Sequence, residues 1–411
     1  MAATARQFGV EELRPALAPD ASAGQKAAFA RFAETGLPHH KIEAWKYTSL
    51  VHLARSGFQP SPANVDLPAA LPGKLEGTAR AVFVNGRFSA DLSDAGIAGF
   101  QPMHAAAIAP ALGEEAADDP MLALAAALGE DGAVLELGES AAPLELLYAT
   151  VPGTAPQMAH TRNVIRVAAG ASATVVERHL ALGTGEQTLS NGSTQIELGE
   201  GATLDHVKLQ AEAGNANHIW HHVARIPAGA TYNSHVVSVG GGLARNRITA
   251  HLLGEDAHCT LDGAYAGRDK QHLDHTSKIT HAVADTTSRQ VYKGVLDDNS
   301  RGVFQGHIVV AEDAQRTDGH QLNRALMLSD RAEIDSKPML EIYADDVKCS
   351  HGATAGDLDE TQLFYLQSRG IPKDEARRLL VEAFLAETID AIPFEPARAA
   401  ALALVQEHLA R

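Results

Sequence analysis

The sequence predicts a mainly β chain, with a β-solenoid core flanked by helical segments at its amino- and carboxy-terminal ends. Three observations lead to that fold class. Between about Ala133 and Lys348 the apolar residues come in short, nearly alternating runs, the period of strands. A small turn element recurs between those runs at a nearly constant spacing. After Gly356 the apolar period becomes that of helices. The organisation expected is an α-rich region with a short β-hairpin over residues 1–132, a β core over 133–350 and a helical region over 351–411.

In the first region Leu13, Leu17, Ala28, Phe29 and Phe32 suit short amphipathic helices, which Pro15 and Pro19 interrupt. Gly36-Leu37-Pro38 makes a turn ahead of Glu43-Ala44-Trp45-Lys46-Tyr47-Thr48, and Pro60 to Pro72 is a Pro/Ala-rich connector. Ala81 to Phe88 has the run, the Asn85-Gly86 turn and the restart of a β-hairpin. Met103 to Leu128 is Ala-rich and helical in propensity, broken by Gly113 and Pro120.

The core runs include Asn163 to Val167, Thr174 to Val176, Leu204 to Leu209 and His235 to Val239. Between them stand Gly170-Ala171-Ser172, Gly201-Ala202-Thr203, Gly229-Ala230-Thr231, Asp256-Ala257-His258, Asp313-Ala314-Gln315 and Arg331-Ala332-Glu333. The first four alanines lie 31, 28 and 27 residues apart, and Ala314 follows Ala257 by 57, two further steps. Strands joined by small corners, without intervening helices, are what stacked solenoid coils need. An antiparallel sandwich or jelly roll is the competing architecture, because it also spaces short strands evenly.

Beyond the core, Asp359 caps a helix through Leu363, Phe364 and Leu366 that ends at Ser368 to Gly370. Pro372 opens a second, with Ala376, Leu379, Leu380, Ala383 and Phe384 as its apolar stripe, and Pro393 and Pro396 break it. A third runs from Ala397 to Leu409. Three short helices cannot bury much by themselves, so this end must dock on something.

Composition excludes several function classes. There are 34 Lys and Arg against 51 Asp and Glu, a formal charge of −17, the wrong sign for holding nucleic acid or an anionic membrane. No apolar run nears the ~20 residues that span a bilayer, and the start lacks the order of a signal peptide. With free thiols, a cytoplasmic protein is expected. Cys259 and Cys349 are the only cysteines, too few for a four-thiolate site. There is no phosphate loop and no Gly-x-Ser-x-Gly elbow, so neither ATP hydrolysis nor hydrolase chemistry is expected of this chain.

Chemistry is concentrated at Lys348-Cys349-Ser350-His351. Residues two apart on a strand share a face, so the Cys349 sulfur and a His351 nitrogen can meet in one site. Thiolate and imidazole suit zinc, iron or an iron–sulfur cluster, and Lys348 is placed to favour the thiolate. The plainer reading is a packed Cys beside a structural His, since two ligands do not complete a site. Cys259, next to His258, reads as core packing. The 20 histidines equal all Phe, Trp and Tyr together. They form no His-Glu-x-x-His motif. His218, His221 and His222 cluster around Trp220, and His272, His275 and His281 form a second group. Hydrogen bonding between coils is the role expected for most, with transition-metal coordination the alternative for one cluster.

A family resemblance rests on Asp318 to Asp330 and Lys337 to Thr354, extended by Leu358 to Glu360, Leu363 to Ile371, Tyr292 to Val295 and Phe304 to Gly306. These stretches resemble the SufB/SufD family of iron–sulfur cluster assembly proteins, continuously over roughly Asp205 to Asp390. Gly36-Leu37-Pro38 with Glu43 to Thr48 is similar to the SufD side of that family, although His39-His40 stands where a more basic pair is expected. The resemblance implies a right-handed parallel β-helix and a non-ATPase scaffold, not an enzyme. Its implied partners are SufB, joined through the β-helix ends, and the ABC-type ATPase SufC, docked by the carboxy-terminal helices. Phe364, Leu366, Leu380 and Phe384 are the candidate contacts for SufC. His351, and more weakly Cys349, are the candidate ligands for transient iron or a nascent cluster shared with SufB at the paired interface. No permanent cofactor is implied. A flavin is compatible with such a complex, but no residue here argues for it. A homodimer is the alternative state of the isolated chain.

Two rival functions remain at this stage. One is a stand-alone metal- or carbohydrate-processing β-helix enzyme using His272, Asp274 and His275 in a surface groove. The other is a purely structural interface protein in which Cys349 and His351 only shape the contact.

Overall fold

Every second strand of the core pairs in parallel with the strand one coil earlier, and this builds the fold. In the computed structural model, which describes residues 8–62, 65–105, 119–139 and 141–410, two ten-stranded sheets run along opposite sides of a solenoid. One takes alternate strands from Ala133–Leu137 to Glu333–Ile342, and the other takes those between, from Leu144–Thr150 to Lys348–Gly356. Register is kept from coil to coil: Ser172, Thr203, Thr231, His258, Thr287, Asp318 and Lys348 form one column. The parallel pairing excludes the sandwich and the jelly roll. No helix among the described residues is long and apolar enough to cross a membrane.

The corners explain the repeat. Gly170, Gly201, Gly229, Asp256, Asp285 and Arg316 each take a left-handed φ, between 56° and 70°. Each amide bonds a carbonyl of the next coil, as from Gly201 to Ala228 and from Asp256 to Asp285. Glycine adopts that conformation without strain, and Asp among the other residues tolerates it best. Two sequence expectations need correction. After Ala257 the corners fall at Asp285-Thr286 and Arg316-Thr317, with a threonine in the alanine's place at both, so Asp313-Ala314 stands three residues ahead of the corner expected there. Arg331-Ala332 turns at the opposite corner, in line with Asp269 and Asp298, because it leads into the other sheet.

Inside the coils, aromatic rings take the space that glycines leave. Gly263 pairs with Tyr292, and a Cβ on Gly263 would lie 2.4 Å from that ring. Gly192 stands in the same relation to Trp220, where the distance would be 2.3 Å. Glycine weakens a strand, so its presence at these two positions is explained by close packing rather than by turning.

The two ends differ. At the first coil, Ala79–Val84 adds in parallel to Leu144–Thr150 and turns through Asn85 and Gly86 into Arg87–Phe88, the expected hairpin. Phe100–Pro102 closes the other sheet antiparallel to Ala133–Leu137. The helices Ala23–Thr35 and Pro120–Leu128 pack together over Met158, Leu189, Ile219 and Leu243 on the outer face of one sheet. Of the Ala-rich stretch read as helical, residues 106–118 lie outside the described residues.

At the other end, Asp359 caps Glu360–Ser368 through the amides of Thr361 and Gln362, and Gly370 follows with φ 88°. The helices Lys373–Ile389 and Glu395–Leu409 lie on the outer face of the other sheet, where Val381, Leu385, Ile389, Ala401 and Val405 cover Val207, Val237, Ala264 and Val295. This end does dock, and it docks on its own solenoid. The buried stripe of Lys373–Ile389 is turned from the expected one: Leu379 and Ala383 face out, while Val381 and Leu385 face in. Both rows are apolar, and only the sheet selects Val381 and Leu385 for burial.

Candidate functional site

The last coil is unfinished. In Arg301–Val310 most side chains are buried, whereas in Glu333–Ile342 and Lys348–Gly356 almost none are, since no further coil covers them. Both strands end their sheets with an unpaired edge. Pro338, which lacks an amide hydrogen, sits in one of them, a placement typical of edge strands.

Strand alternation puts both predicted ligands on the inward face of this coil. Cys349 continues the column Tyr232, Cys259, Ser288, Gly319, and His351 continues His206, Ser234, Leu261, Gln290, Gln321. The preceding members of both columns are buried, so the interior of the solenoid opens to solvent at these two residues. His351 is exposed, and Cys349 is half-buried against Ile308, Val310 and Ala314. A Cβ on Gly319 would lie 3.6 Å from the Cys349 sulfur and 3.6 Å from His281 Nε2. Burial pushes the Cys349 thiol up and Asp318 adds to this, while the Gly319 amide works the other way. Lys348 alternates to the opposite face of the strand, so it does not activate the thiol as expected. Cys259 is buried, and burial pushes its thiol up strongly, in keeping with core packing.

The four candidate partner contacts separate into two kinds. Phe364 is 72% exposed on Glu360–Ser368, a helix with no buried residue, and Tyr365 beside it is also exposed. Leu366 and Leu380 are half-buried. Phe384 is half-buried as well, with Lys293 Nζ 4.6 Å and Arg324 5.8 Å from its ring. It belongs to the seam between helix and sheet, where Lys293 also pairs with Glu387.

The Glu43 to Thr48 motif is a clamp on the solenoid. Trp45 is fully buried, and the Arg245 guanidinium lies 4.0 Å from its ring. Arg245 donates to the Ala44 carbonyl at 2.6 Å and to Asp274, to which Thr48 also donates. Thr276 gives Asp274 a further bond at 2.7 Å, and Thr48 meets His272 Nε2 at 2.9 Å. Asp274 is thus buried beneath the motif, and His275 points into the core between Tyr265 and Tyr292. The three residues of the rival enzyme reading do not converge in a groove.

Half of the histidines are buried. In Ala216–Ile226, His218, Trp220 and His222 point inward, while His221 points outward, with Nδ1 3.2 Å from Asp119 Oδ2 and Nε2 hydrogen-bonded to Thr249 at 2.9 Å. The inward set meets Glu177, His179, His206 and Lys208 from the facing sheet. The sequence reading missed these partners, which lie on other strands; the signal was the pairs Glu177 and His179, and His206 and Lys208, each two residues apart on one strand face.

Comparison with known proteins follows the same lines. Residues 150–384 match the family described as SUF system FeS cluster assembly, SufBD core domain. Iron-sulfur cluster assembly protein SufD of Escherichia coli K12 is 34% identical over 385 residues, 91% of this chain and 90% of that one. A SufBD family protein of Synechocystis is 32% identical over 389 residues, 87% and 84% of the two chains. SufD of Bacillus subtilis is 35% identical over 147 residues, 36% and 34% of the two. With its parallel solenoid and its two helical ends, the chain belongs to the SufB/SufD family, on the SufD side, and to the machinery of SUF iron–sulfur cluster assembly.

Proposed function

We propose that this chain is a non-ATPase scaffold subunit that pairs with a SufB partner through the open coil and carries the ATPase SufC on its carboxy-terminal helices. The observation supporting it is the unfinished last coil, where two inward columns surface at Cys349 and His351 beside two unpaired strand edges. A second solenoid meeting this end covers both edges and encloses both side chains. In that seam His351 supplies an imidazole to iron or a nascent cluster, which is cargo, and the partner supplies thiolates. Cys349, held half-buried with a raised thiol, serves mainly to pack the seam.

The exposed Phe364 and Tyr365 are the contacts offered to SufC, with Leu366 and Leu380 at their margin. ATP-driven approach of two SufC copies would then turn the paired solenoids and open the seam, a shift between two arrangements biased by nucleotide. The test is to purify the chain alone, with SufB, with SufC and with both, and to measure bound iron, sulfide and ATPase rate. The reading expects cluster only when SufB is present and ATPase only when SufC is present. Turnover or a cluster on the chain alone would overturn it.

A further inference from the structure

A cluster of metal-ligating side chains, separate from the open end, lies inside the solenoid. Glu177 is fully buried on Ser172–Ala181. His206 Nε2 approaches its Oε1 to 3.3 Å from the next coil, and His222 Nε2 approaches Oε2 to 3.4 Å from the facing sheet. The three ligand atoms lie within 4.8 Å of one another. Four donors about 2.05 Å from a tetrahedral metal stand about 3.3 Å apart, so each imidazole already stands about one such edge from an oxygen of the carboxylate, His206 from Oε1 and His222 from Oε2.

Hydrogen bonding alone leaves this cluster incomplete. His206 Nε2 is buried and 3.3 Å from the carboxylate, but the contact lacks the alignment of a hydrogen bond. Its other nitrogen, Nδ1, is held by the Tyr232 hydroxyl at 3.1 Å, the outer contact that orients a metal-binding imidazole. Thr194 Oγ1 donates to Glu177 Oε1 at 3.0 Å and fixes the carboxylate. Two buried carboxylates, Glu177 and Glu212, share this interior with Lys208, whose buried Nζ finds no acceptor. A polar route also exists, because Glu212 lines a surface cleft and lies 2.9 Å from His218 Nδ1, and the His218 ring lies 4.8 Å from that of His179.

We propose that Glu177, His206 and His222 bind one divalent first-row transition ion, Zn²⁺ or Fe²⁺, with the fourth position left to water. Two imidazoles and a carboxylate suit these ions rather than Mg²⁺ or Ca²⁺, which prefer oxygen. The ion would tie two neighbouring strands of one sheet, Ser172–Ala181 and Thr203–Ala211, to Ala216–Ile226 of the facing sheet. This inference is independent of the pairing proposed above.

The full chain is stripped with chelator and dialysed against Zn²⁺ alone, or Fe²⁺ alone without oxygen, and Co²⁺ is added in parallel to read its d–d spectrum. One ion per chain is expected, with a four-coordinate nitrogen and oxygen spectrum and a rise in melting temperature. The double variant Cys349→Ala/His351→Ala should bind equally well, and Glu177→Gln should bind at least about tenfold more weakly. Well under one ion per wild-type chain overturns the proposal. So does binding abolished by the Cys349/His351 variant, or a Co²⁺ spectrum with thiolate character. Should Glu177→Gln fail to fold, the wild-type stoichiometry and the Co²⁺ spectrum decide alone.

Discussion

His351 is paired in register with Gln321, which is 2% exposed one coil earlier, while His351 itself is exposed. The two occupy the same inward column, and only the absence of a following coil separates a core position from an exposed one. An imidazole presented in this way is held by a rigid strand and needs only a facing surface. Its partner in the motif, Cys349, is set differently, with hydrophobic neighbours on one side.

The glycines opposite the aromatic rings are a test of the interior. Gly263→Ala places a methyl within 2.4 Å of the Tyr292 ring, and neither can withdraw within a packed coil. We expect a loss of about 1–3 kcal/mol, read as a lower urea midpoint at unchanged m-value. An unchanged midpoint would mean that the interior is looser than described.

The amino-terminal clamp depends on a buried ion pair. Asp274→Ala leaves the Arg245 guanidinium buried against Trp45 without its carboxylate. The expected cost is about 3–5 kcal/mol, with Glu43 to Thr48 becoming susceptible to limited proteolysis. If the variant melts like the wild type and resists protease, the clamp contributes nothing.

Stability should fall on acidification. Burial holds His275 and His281 at about 4, against an ordinary 6.5. The unfolded chain therefore binds protons that the folded chain refuses between these values. The stabilising contribution is complete above pH 6.5 and is lost as pH falls towards 4. Each such imidazole steepens the curve by up to about 1.4 kcal/mol per pH unit. Urea midpoints from pH 8 to 4 give the slope, and His281→Asn should flatten it; a level curve through this window would contradict the burial assigned to these rings.

The two rows of the carboxy-terminal helices should behave oppositely. Leu385→Ala empties a site at the seam and should cost about 2–5 kcal/mol, with faster amide exchange across Lys373–Ile389. Phe364→Asp, on an exposed side chain, should leave stability within about 0.5 kcal/mol and yet weaken SufC binding. Equal SufC affinity for Phe364→Asp would move the docking surface elsewhere.

What could be read from the sequence follows from where the information lies. Strand alternation and the Gly-Ala corners are local, so the solenoid and its step were legible at Gly170, Gly201 and Gly229. At Asp285-Thr286 different residues solve the same geometry, and the repeat disappeared from view. Cys349 and His351 were legible because two residues of one strand define a face. Glu177, His206 and His222 were not, since they meet only through stacking across coils and across the two sheets. Helix phase at Leu380 and Val381 was undecidable by apolarity alone, because both rows are apolar and the sheet chooses one.

The central claim is that the open coil presents His351 to a metal shared with a SufB partner. The most direct measurement is the iron and sulfide content of the complex reconstituted with SufB and SufC, comparing the wild-type chain with His351→Ala. The account predicts that the variant still assembles and still stimulates ATP hydrolysis, but that its iron and sulfide fall towards background, whereas Cys349→Ala retains more of both. Iron and sulfide at wild-type levels in an intact His351→Ala complex would contradict it.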